Sequence, residues 1–355
     1  MPKKTPESPL QKGLFPQKHK TLIRISYGVF VVLFSICTLG TLFVIETKES
    51  VYELAFTDTI STPQPTLETK FPIGVNPQTE SITENPTVDF FLTTQLGGTI
   101  KNASKIGWLQ KNILSKLAQL DWYQNLASPI SRILVAQPGE RKEEIVDNFG
   151  DILHWNTQER AQFAKLVASS SPSLSEGKFF PSKYVVQKDA SPEVVAEVVV
   201  TKFNNEIASR YTKEIDATVP LKDALIIASL LEKEAYDFED MRYISGVIWN
   251  RLFAGMHLQL DASLQYAKAN QGGGEWWPVP VPADKYIKSP FNTYKNNGLP
   301  PSPIANTGGE AILAALNPKV TDCMFYFHDK QAGFHCTKTY EEHVALLKQY
   351  YGQGK

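Results

Sequence analysis

An apolar run at residues 25–45 contains no charged side chain. At about 1.5 Å per residue, a helix of about 21 residues spans roughly 30 Å, the thickness of the hydrocarbon part of a bilayer. The run is longer than the apolar stretch of a signal peptide, and no small-x-small cleavage site follows it. Ile36 precedes Cys37, where a lipoprotein needs a small residue. We therefore predict a single transmembrane helix, with a buried core helix as the alternative.

The charge distribution gives this helix an orientation. Residues 1–24 carry six basic side chains against one acid, Glu7. The positive-inside rule places this tail in the cytoplasm and everything after residue 46 on the outer side of the cytoplasmic membrane. Over the whole chain the net charge is −1, so the chain lacks the excess of basic residues that is typical of nucleic-acid-binding proteins.

Regular spacing of apolar residues is absent just after the run and returns further along, with helical spacing in some segments and short strand-like stretches in others. Residues 46–100 are rich in Thr, Pro, Glu and Ser, and we predict a flexible stalk there. A modest amphipathic helix is predicted at Ala103–Leu120. Within 101–215, short strands alternate with helical patterns, which predicts a small α+β module. Its predicted elements are a strand at Ile133–Val135, a turn at Gln137–Glu140, a helix at Glu143–Leu153, a strand near Phe179–Val186 and a helix at Pro192–Ile207.

Residues 216–355 form a mostly helical domain in this interpretation, so the predicted fold class is α+β. Residues 271–308 are dense in Gly, Pro and aromatics and are too long for a simple connector, which predicts a functional loop. Cys323 and Cys336 fall in the predicted hairpin; spacing leaves their pairing open, and free or buried thiols are slightly favoured. The predicted elements are helices at Leu221–Tyr236, Met241–Phe253 (ended by Gly255), Asp261–Ala269 (with Asp261 as N-cap), Gly309–Leu316 and Thr339–Tyr351, and a hairpin at 323–337.

Two acids stand at the end of the first of these helices. Glu232 continues an apolar face one turn after Ala228, and such surroundings disfavour a charged carboxyl and raise its pKa. A general acid at neutral pH needs that property. Glu234 lies about 200° around the helix axis and therefore faces another environment. Helix geometry does not choose between them, and a solvated, frayed terminus is the alternative for both.

Further polar groups follow along the chain and are of the kinds that bind sugars, since amides bond hydroxyls and aromatic rings stack on pyranose faces. The alternative is a loop held together by its own hydrogen bonds. The candidates are Asn250, Arg251, Gln259, Asp261, Asn292, Thr293 and Tyr294.

Metal and cofactor sites are not expected. His328, His335 and His343 are spaced by seven and eight residues, and no pair has the i, i+4 spacing of a metalloprotease helix. The glycines at 272–274 lack the Lys-Ser/Thr of a phosphate loop. A lone His335 that contacts substrate or supports its loop is favoured over a metal ligand.

Several motifs in order resemble the YceG-like endolytic murein transglycosylases. The resemblance is strong over about 221–345 and weaker over 132–210, where Glu176–Pro181 is similar to part of the family's LysM-like region. Leu260, Ala262 and Cys336 depart from the usual family residues. The motifs are LIIASLLEKEA (225–235), VIWNRL (247–252), GMHLQLDAS (255–263), NTY (292–294), GLPPSPIAN (298–306) and HCTKTYEEH (335–343).

This resemblance implies a function and singles out one acid. Glu232, the first glutamate of the Glu-Lys-Glu motif, would be the catalytic residue, with the polar residues above and His335 lining the cleft. The implied reaction cleaves MurNAc–GlcNAc bonds of nascent peptidoglycan strands and leaves 1,6-anhydro ends, close to the membrane and to synthases such as penicillin-binding proteins. Two alternatives remain: a glycoside hydrolase in which Asp261 or Glu234 activates water, and a non-catalytic wall-binding scaffold.

Overall fold

The computed structural model describes residues 69–96, 130–272 and 274–352, and six separate positions between residues 27 and 39. The predicted basic tail, most of the apolar run, residues 46–68 and the predicted helix Ala103–Leu120 lie outside the described residues. The six separate positions are helical, and Thr38 Oγ1 donates to the Phe34 carbonyl at 3.0 Å. No helix formed by the described residues is long and apolar enough to cross a membrane.

The described part of residues 63–355 is α+β, mostly helical with three two-stranded antiparallel sheets, as the sequence predicts. Its first elements are β1 (Val75–Asn76), β2 (Ser81–Ile82), α1 (Val88–Gln95), β3 (Ser131–Ala136), α2 (Lys142–Ile152), α3 (Thr157–Ser169), β4 (Ser182–Gln187) and α4 (Pro192–Glu206). The later elements are α5 (Lys213–Thr218), α6 (Leu221–Glu234), α7 (Phe238–Phe253), α8 (Asp261–Ala269), a 3₁₀ helix (Pro282–Tyr286), α9 (Gly309–Leu316), β5 (Phe325–His328), β6 (Phe334–Thr337) and α10 (Tyr340–Tyr351).

A small core forms around the β3–β4 pair. The two strands are antiparallel, with Leu134 opposite Tyr184, and α2, α3 and the first half of α4 pack around them. Phe149 and Phe163 stack at 5.9 Å in this core. Nearly every residue of β3 is buried, because the strand is covered on both faces, and this explains its continuous apolar sequence. The unit has the order strand, helix, helix, strand; α3 is the helix that the sequence pattern did not predict.

The larger core is built around α6 and α9. Residues 224–231 of α6 are all buried, and α9 is buried along almost its whole length, so the two apolar helices pack directly against each other. Helix α7 packs on both, and the Trp249 indole donates to the Ala315 carbonyl at 2.9 Å. An apolar helix with no polar stripe requires burial on all sides, which is what this arrangement supplies.

The prediction of a flexible stalk is wrong for residues 69–96. Phe71, Val75, Phe91 and Leu92 belong to the larger core, and the Phe71 and Phe91 ring centroids lie 5.2 Å apart. The Asn317 amide also donates to the Pro72 carbonyl at 2.7 Å. The prediction overlooked the i, i+3, i+4 spacing of Val88, Phe91 and Leu92, which form the buried face of α1.

Helix α4 joins the two cores. Val195 and Val199 lie in the small core, whereas Phe203 at the end of the same helix lies in the larger one. The chain therefore passes from the small core to the larger core within α4, before the predicted domain boundary at 215/216. Ile207 and Tyr211 already belong to the larger core.

The ends of α7 and α8 show one confirmed and one wrong prediction. Helix α7 stops before Gly255, whose φ of +62° is the left-handed conformation that glycine adopts at helix ends. Helix α8 begins at Asp261, so Leu260 occupies the N-cap position predicted for Asp261. The Asp261 carboxylate instead accepts a hydrogen bond from the Tyr294 hydroxyl at 2.8 Å.

Cys323 and Cys336 form a disulfide, which corrects the slight preference for free thiols. Cys336 lies on β6, and Cys323 lies just before β5. Spacing could not reveal the pair because the exact hairpin register, Tyr326 opposite Cys336, decides whether the two cysteines meet.

Candidate active site

The last turn of α6 carries Glu232, Lys233 and Glu234 out of the larger core. Residues 224–231 are all buried, and the three following side chains are partly exposed. The apolar face holds the helix in place, while its carboxyl end reaches the edge of the core. This is how a buried helix can present acids at a surface without burying them in the middle of the domain.

Glu232 is held by the start of α9. Its Oε1 atom accepts a hydrogen bond from the backbone N–H of Gly308, the N-cap residue of α9, at 2.8 Å. Unpaired N–H groups and the helix dipole make a helix N-terminus a favourable position for a carboxyl group. The bond fixes one oxygen of Glu232 relative to the 298–308 loop.

That loop is clamped between α6 and the small α+β unit. The Ser229 hydroxyl accepts from the Ile304 N–H at 3.0 Å. Asn306 is fully buried; its Oδ1 accepts from the Phe179 N–H at 2.9 Å, and its backbone N–H donates to the Glu140 carbonyl at 2.8 Å. The position of Gly308, and so of the Glu232 carboxyl, depends on both cores.

Glu234 has different partners. Its Oε1 accepts from the Ala262 N–H in α8 at 3.1 Å, and its Oε2 accepts from the Tyr326 hydroxyl in β5 at 2.9 Å. Burial raises the pKa of Glu234, the two hydrogen bonds oppose that rise, and the nearby Asp261 charge adds to it. The different environments predicted for the two acids are confirmed, and Glu234 links three elements of the domain.

A polar cluster lies at the start of α8. Asp261 and Gln259 are exposed, and the Asp261 carboxylate accepts from Tyr294. The Thr293 hydroxyl accepts from the Leu260 N–H at 3.0 Å, and the Gln259 N–H donates to the Thr293 carbonyl at 3.1 Å. These predicted residues come together through tertiary contacts between the start of α8 and the 292–294 segment.

Three predicted cleft residues instead support the backbone. The Asn250 amide donates to the carbonyls of Thr321 and Cys323 at 2.8 and 3.1 Å. Arg251 is buried and donates to the Met324 carbonyl at 2.6 Å. Asn292 is fully buried; its amide donates to two carbonyls, and its Oδ1 accepts from the Tyr294 N–H. Asn250, Arg251 and Asn292 therefore position the site.

His335 also has a supporting place. It lies opposite Phe327 in the hairpin, and its Nε2 is 2.7 Å from Asp329 Oδ2. The Asp329 carboxylate also accepts from the Gly333 N–H, which closes the hairpin turn. Since neighbouring strand residues face opposite sides, His335 lies on the face away from Tyr326 and Glu234. Of the two roles considered for His335, support of its loop is the one that these contacts match.

The sequence patterns did not predict two cation–aromatic contacts, one of which involves Lys233, the residue after Glu232. The Lys233 Nζ lies 3.8 Å from the Trp277 ring centroid, and the Trp277 indole donates to Glu144 at 3.1 Å. The Arg141 guanidinium lies over Tyr266 at 4.1 Å. The adjacent tryptophans of the 271–308 loop were a visible signal, but their cationic partners come from distant segments.

A YceG-like family model matches residues 99–349. The chain belongs to the YceG-like family. An endolytic murein transglycosylase of Bacillus subtilis (strain 168) is 34% identical over 176 residues, which are 49% of this chain and 48% of the relative. One of Streptococcus pneumoniae serotype 2 is 30% identical over 158 residues, 44% of this chain and 29% of the relative.

The fold is similar to that of a YceG-like protein from Listeria monocytogenes, known from a crystal structure. The TM-score is 0.52 at 29% identity, over 60% of this chain and 75% of that one. The match to the Bacillus and Streptococcus relatives spans about half of their length or less. Family membership and fold therefore follow from these comparisons.

Proposed function

We propose that this protein is an endolytic lytic transglycosylase of peptidoglycan with Glu232 as its single acid and base. The observation that carries the proposal is the position of Glu232 at the exit of α6, with one carboxyl oxygen fixed by the Gly308 N–H. Glu234 accepts hydrogen bonds at both carboxyl oxygens, from Ala262 of α8 and Tyr326 of β5, and so joins α6 to two other elements. Glu234 is thus a positioning group, although burial raises its pKa.

The reaction needs one carboxyl group. Neutral Glu232 donates its proton to the oxygen of the MurNAc–GlcNAc bond as that bond breaks and positive charge develops at the muramoyl C1. The resulting carboxylate then takes the proton of the C6 hydroxyl of the same sugar, whose oxygen bonds to C1. Attack within one sugar replaces attack by water and gains from proximity. A 1,6-anhydro end results, and Glu232 regains its proton.

The cluster of Gln259, Asp261 and Tyr294 supplies polar groups for the sugar chain beside the acid. Asp261 and Gln259 are exposed, and Asp261 directly precedes Ala262, whose N–H donates to Glu234. Hydroxyl and carboxylate groups at this place bind sugar hydroxyls. Neither a metal nor an organic cofactor takes part in the proposed reaction.

The test is the product released from purified peptidoglycan. Glu232→Gln keeps the size of the side chain and an oxygen that can accept from Gly308, but it carries no transferable proton. We expect release of anhydro-muropeptides to fall by at least about a hundredfold, as for loss of a general acid. Glu239→Gln, which changes an exposed glutamate of α7, is the matched control and should retain full activity.

Mass spectrometry of the same digest distinguishes the alternatives. Reducing ends without anhydro sugars would indicate a hydrolase using Asp261 or Glu234 with water. Binding without any cleavage would indicate a wall-binding scaffold. Normal release of anhydro products by Glu232→Gln would remove Glu232 from the mechanism.

The proposed location is the outer side of the bacterial cytoplasmic membrane. Residues 25–45 anchor the chain as a single span, with the basic residues 1–24 in the cytoplasm. The Cys323–Cys336 disulfide supports this side, because structural disulfides form and persist in oxidising compartments outside the cytoplasm. The anchor holds the enzyme close to strands as they are made, where cleavage ends their elongation.

The small unit of β3, α2, α3 and β4 is proposed to act as a LysM-like glycan-binding module. Its strand–helix–helix–strand order and its contact with the 298–308 loop through Asn306 support this role. Peptidoglycan strands are the proposed ligand. Peptidoglycan synthases such as penicillin-binding proteins are the proposed partners, since they produce the strands that the enzyme cuts.

A further inference from the structure

The loop after α8 and the first two residues of the 3₁₀ helix expose a continuous apolar segment. Residues 276–283 are Trp-Trp-Pro-Val-Pro-Val-Pro-Ala, without a charged side chain. Trp277 is partly buried against Lys233, but Val279 is 77% exposed and Val281 is 49% exposed. We call residues 278–283 the loop tip. Contiguous exposed apolar residues of this kind mark an interaction surface.

The C-terminal side of the loop tip is cationic and aromatic, whereas one exposed acid, Glu275, precedes Trp276 on the N-terminal side. Lys285 and Lys288 are exposed, and Tyr286 is 77% exposed. The Asp284 carboxylate is buried and lies 2.9 Å from the Lys268 Nζ, so its charge is paired. An apolar segment flanked by aromatic rings and lysines is typical of protein surfaces that lie in the interface of an anionic bilayer.

We propose that the loop tip is a second membrane contact, in which Val279 and Val281 enter the interface while Lys285 and Lys288 approach anionic lipid headgroups. Valine and proline side chains offer sugar hydroxyls no hydrogen bonds and offer pyranose rings no flat π face. They do gain free energy when apolar surface leaves water. The chemistry of the loop tip therefore fits lipid better than glycan.

The loop is held in a defined shape beside the proposed catalytic acid. Prolines at 278, 280 and 282 restrict the backbone, and Asp284 accepts from the Val281 N–H at 2.7 Å. Trp277, at the base of the loop tip, contacts Lys233, the residue after Glu232. A bilayer that holds the loop tip fixes the height of Glu232 above the membrane. This inference depends on the proposed function in one respect, the placement of the domain on the outer side of the membrane.

The experiment uses the full chain in vesicles of equal parts phosphatidylglycerol and phosphatidylcholine. In a Cys37→Ser background, Val279→Cys is labelled with an environment-sensitive nitrobenzoxadiazole dye under non-reducing conditions. Val320→Cys, at a valine that is 56% exposed elsewhere in the domain, is the matched control. We expect a blue-shifted emission at position 279 and severalfold stronger quenching by brominated lipids than at position 320. Vesicles of phosphatidylcholine alone should weaken the quenching.

Each other outcome overturns the inference. Equal quenching at both positions would mean general proximity to the bilayer, and no quenching at position 279 would mean that the loop tip stays in water. A dye response to purified glycan strands without lipid would make the loop tip a sugar surface. Cleavage of peptidoglycan is measured on the same samples. Cleavage without quenching overturns the loop contact alone, and quenching with an active Glu232→Gln variant overturns the proposed function alone.

Discussion

Glu232 and Glu234, two residues apart at the end of α6, have different hydrogen-bond partners and electrostatic environments. Glu234 shares its carboxyl oxygens with α8 and β5, whereas Glu232 meets the N-terminus of α9. One rotation of about 200° along the helix produces this difference, because it turns neighbouring acids toward separate elements. The resemblance to the family selects Glu232, and these contacts are consistent with that choice.

A third acid gives a prediction about pH. Glu176 is 2% exposed, and burial, reinforced by the charge of Glu143, raises its pKa from 4.5 to about 8. Between those pH values the folded state holds a proton that the unfolded state has released. The free energy of unfolding therefore falls as pH rises through this window, by at most about 1.4 kcal/mol per pH unit from this group.

Glu176→Gln removes that titration. We expect the stability of the variant relative to the natural protein to improve between about pH 5 and pH 8, as measured by urea unfolding at both values. Glu197→Gln, at an exposed position of α4, should leave the dependence of the unfolding free energy on pH unchanged. If Glu176→Gln has the same dependence of unfolding free energy on pH as the natural protein, Glu176 has the same pKa in the folded and unfolded states.

At the scale of elements, the β5–β6 hairpin holds the end of α6. The Tyr326 hydroxyl donates to Glu234, and Arg251 of α7 binds the Met324 carbonyl at the start of the hairpin. The disulfide joins β6 to the segment before β5. The hairpin thereby connects the last turn of α6 to two other parts of the domain.

Removing one hydroxyl tests this connection. Tyr326→Phe leaves the ring in place and deprives the partly buried Glu234 carboxylate of the donor to its Oε2, which should cost about 1–3 kcal/mol of stability. Urea unfolding measures the loss, and cleavage of peptidoglycan should fall with it because α6 carries Glu232. Tyr340→Phe, at a tyrosine that is mostly exposed on α10, is the control. Equal stability of both variants would contradict the connection.

At the scale of the whole domain, the segment before the small unit completes the larger core. Phe71 is 1% exposed and packs beside Phe91 and Tyr211. Its backbone N–H donates to the Arg210 carbonyl at 3.2 Å. Residues 69–96 are therefore part of the globular fold, and a fragment that began after them would lack one side of its core.

Phe71→Ala measures that contribution. A large cavity in a packed core should cost about 3–5 kcal/mol in the free energy of unfolding. Phe90→Ala lies in the same segment but is 65% exposed, so it should change stability by no more than about 0.5 kcal/mol. Similar values for the two variants would mean that the segment contributes little to the core.

The sequence alone determined the elements whose signals are local. The apolar run of α6, the stop at Gly255, the boundaries of α9 and the presence of a strand at β3 follow from periodicity and turn residues within a few positions. Local hydrogen bonds and side-chain spacing set these features, so a short window of sequence contains them. The strongest motifs also indicated the family and selected Glu232.

Only the tertiary structure decided what depends on contacts between distant segments. It placed Phe71 in the core, paired the two cysteines, turned Asn292 and His335 into supporting residues, and brought Trp277 to Lys233. Each of these depends on the relative placement of elements that are far apart in the chain. A short window of sequence does not predict the relative positions of these elements, because packing of the whole core determines them.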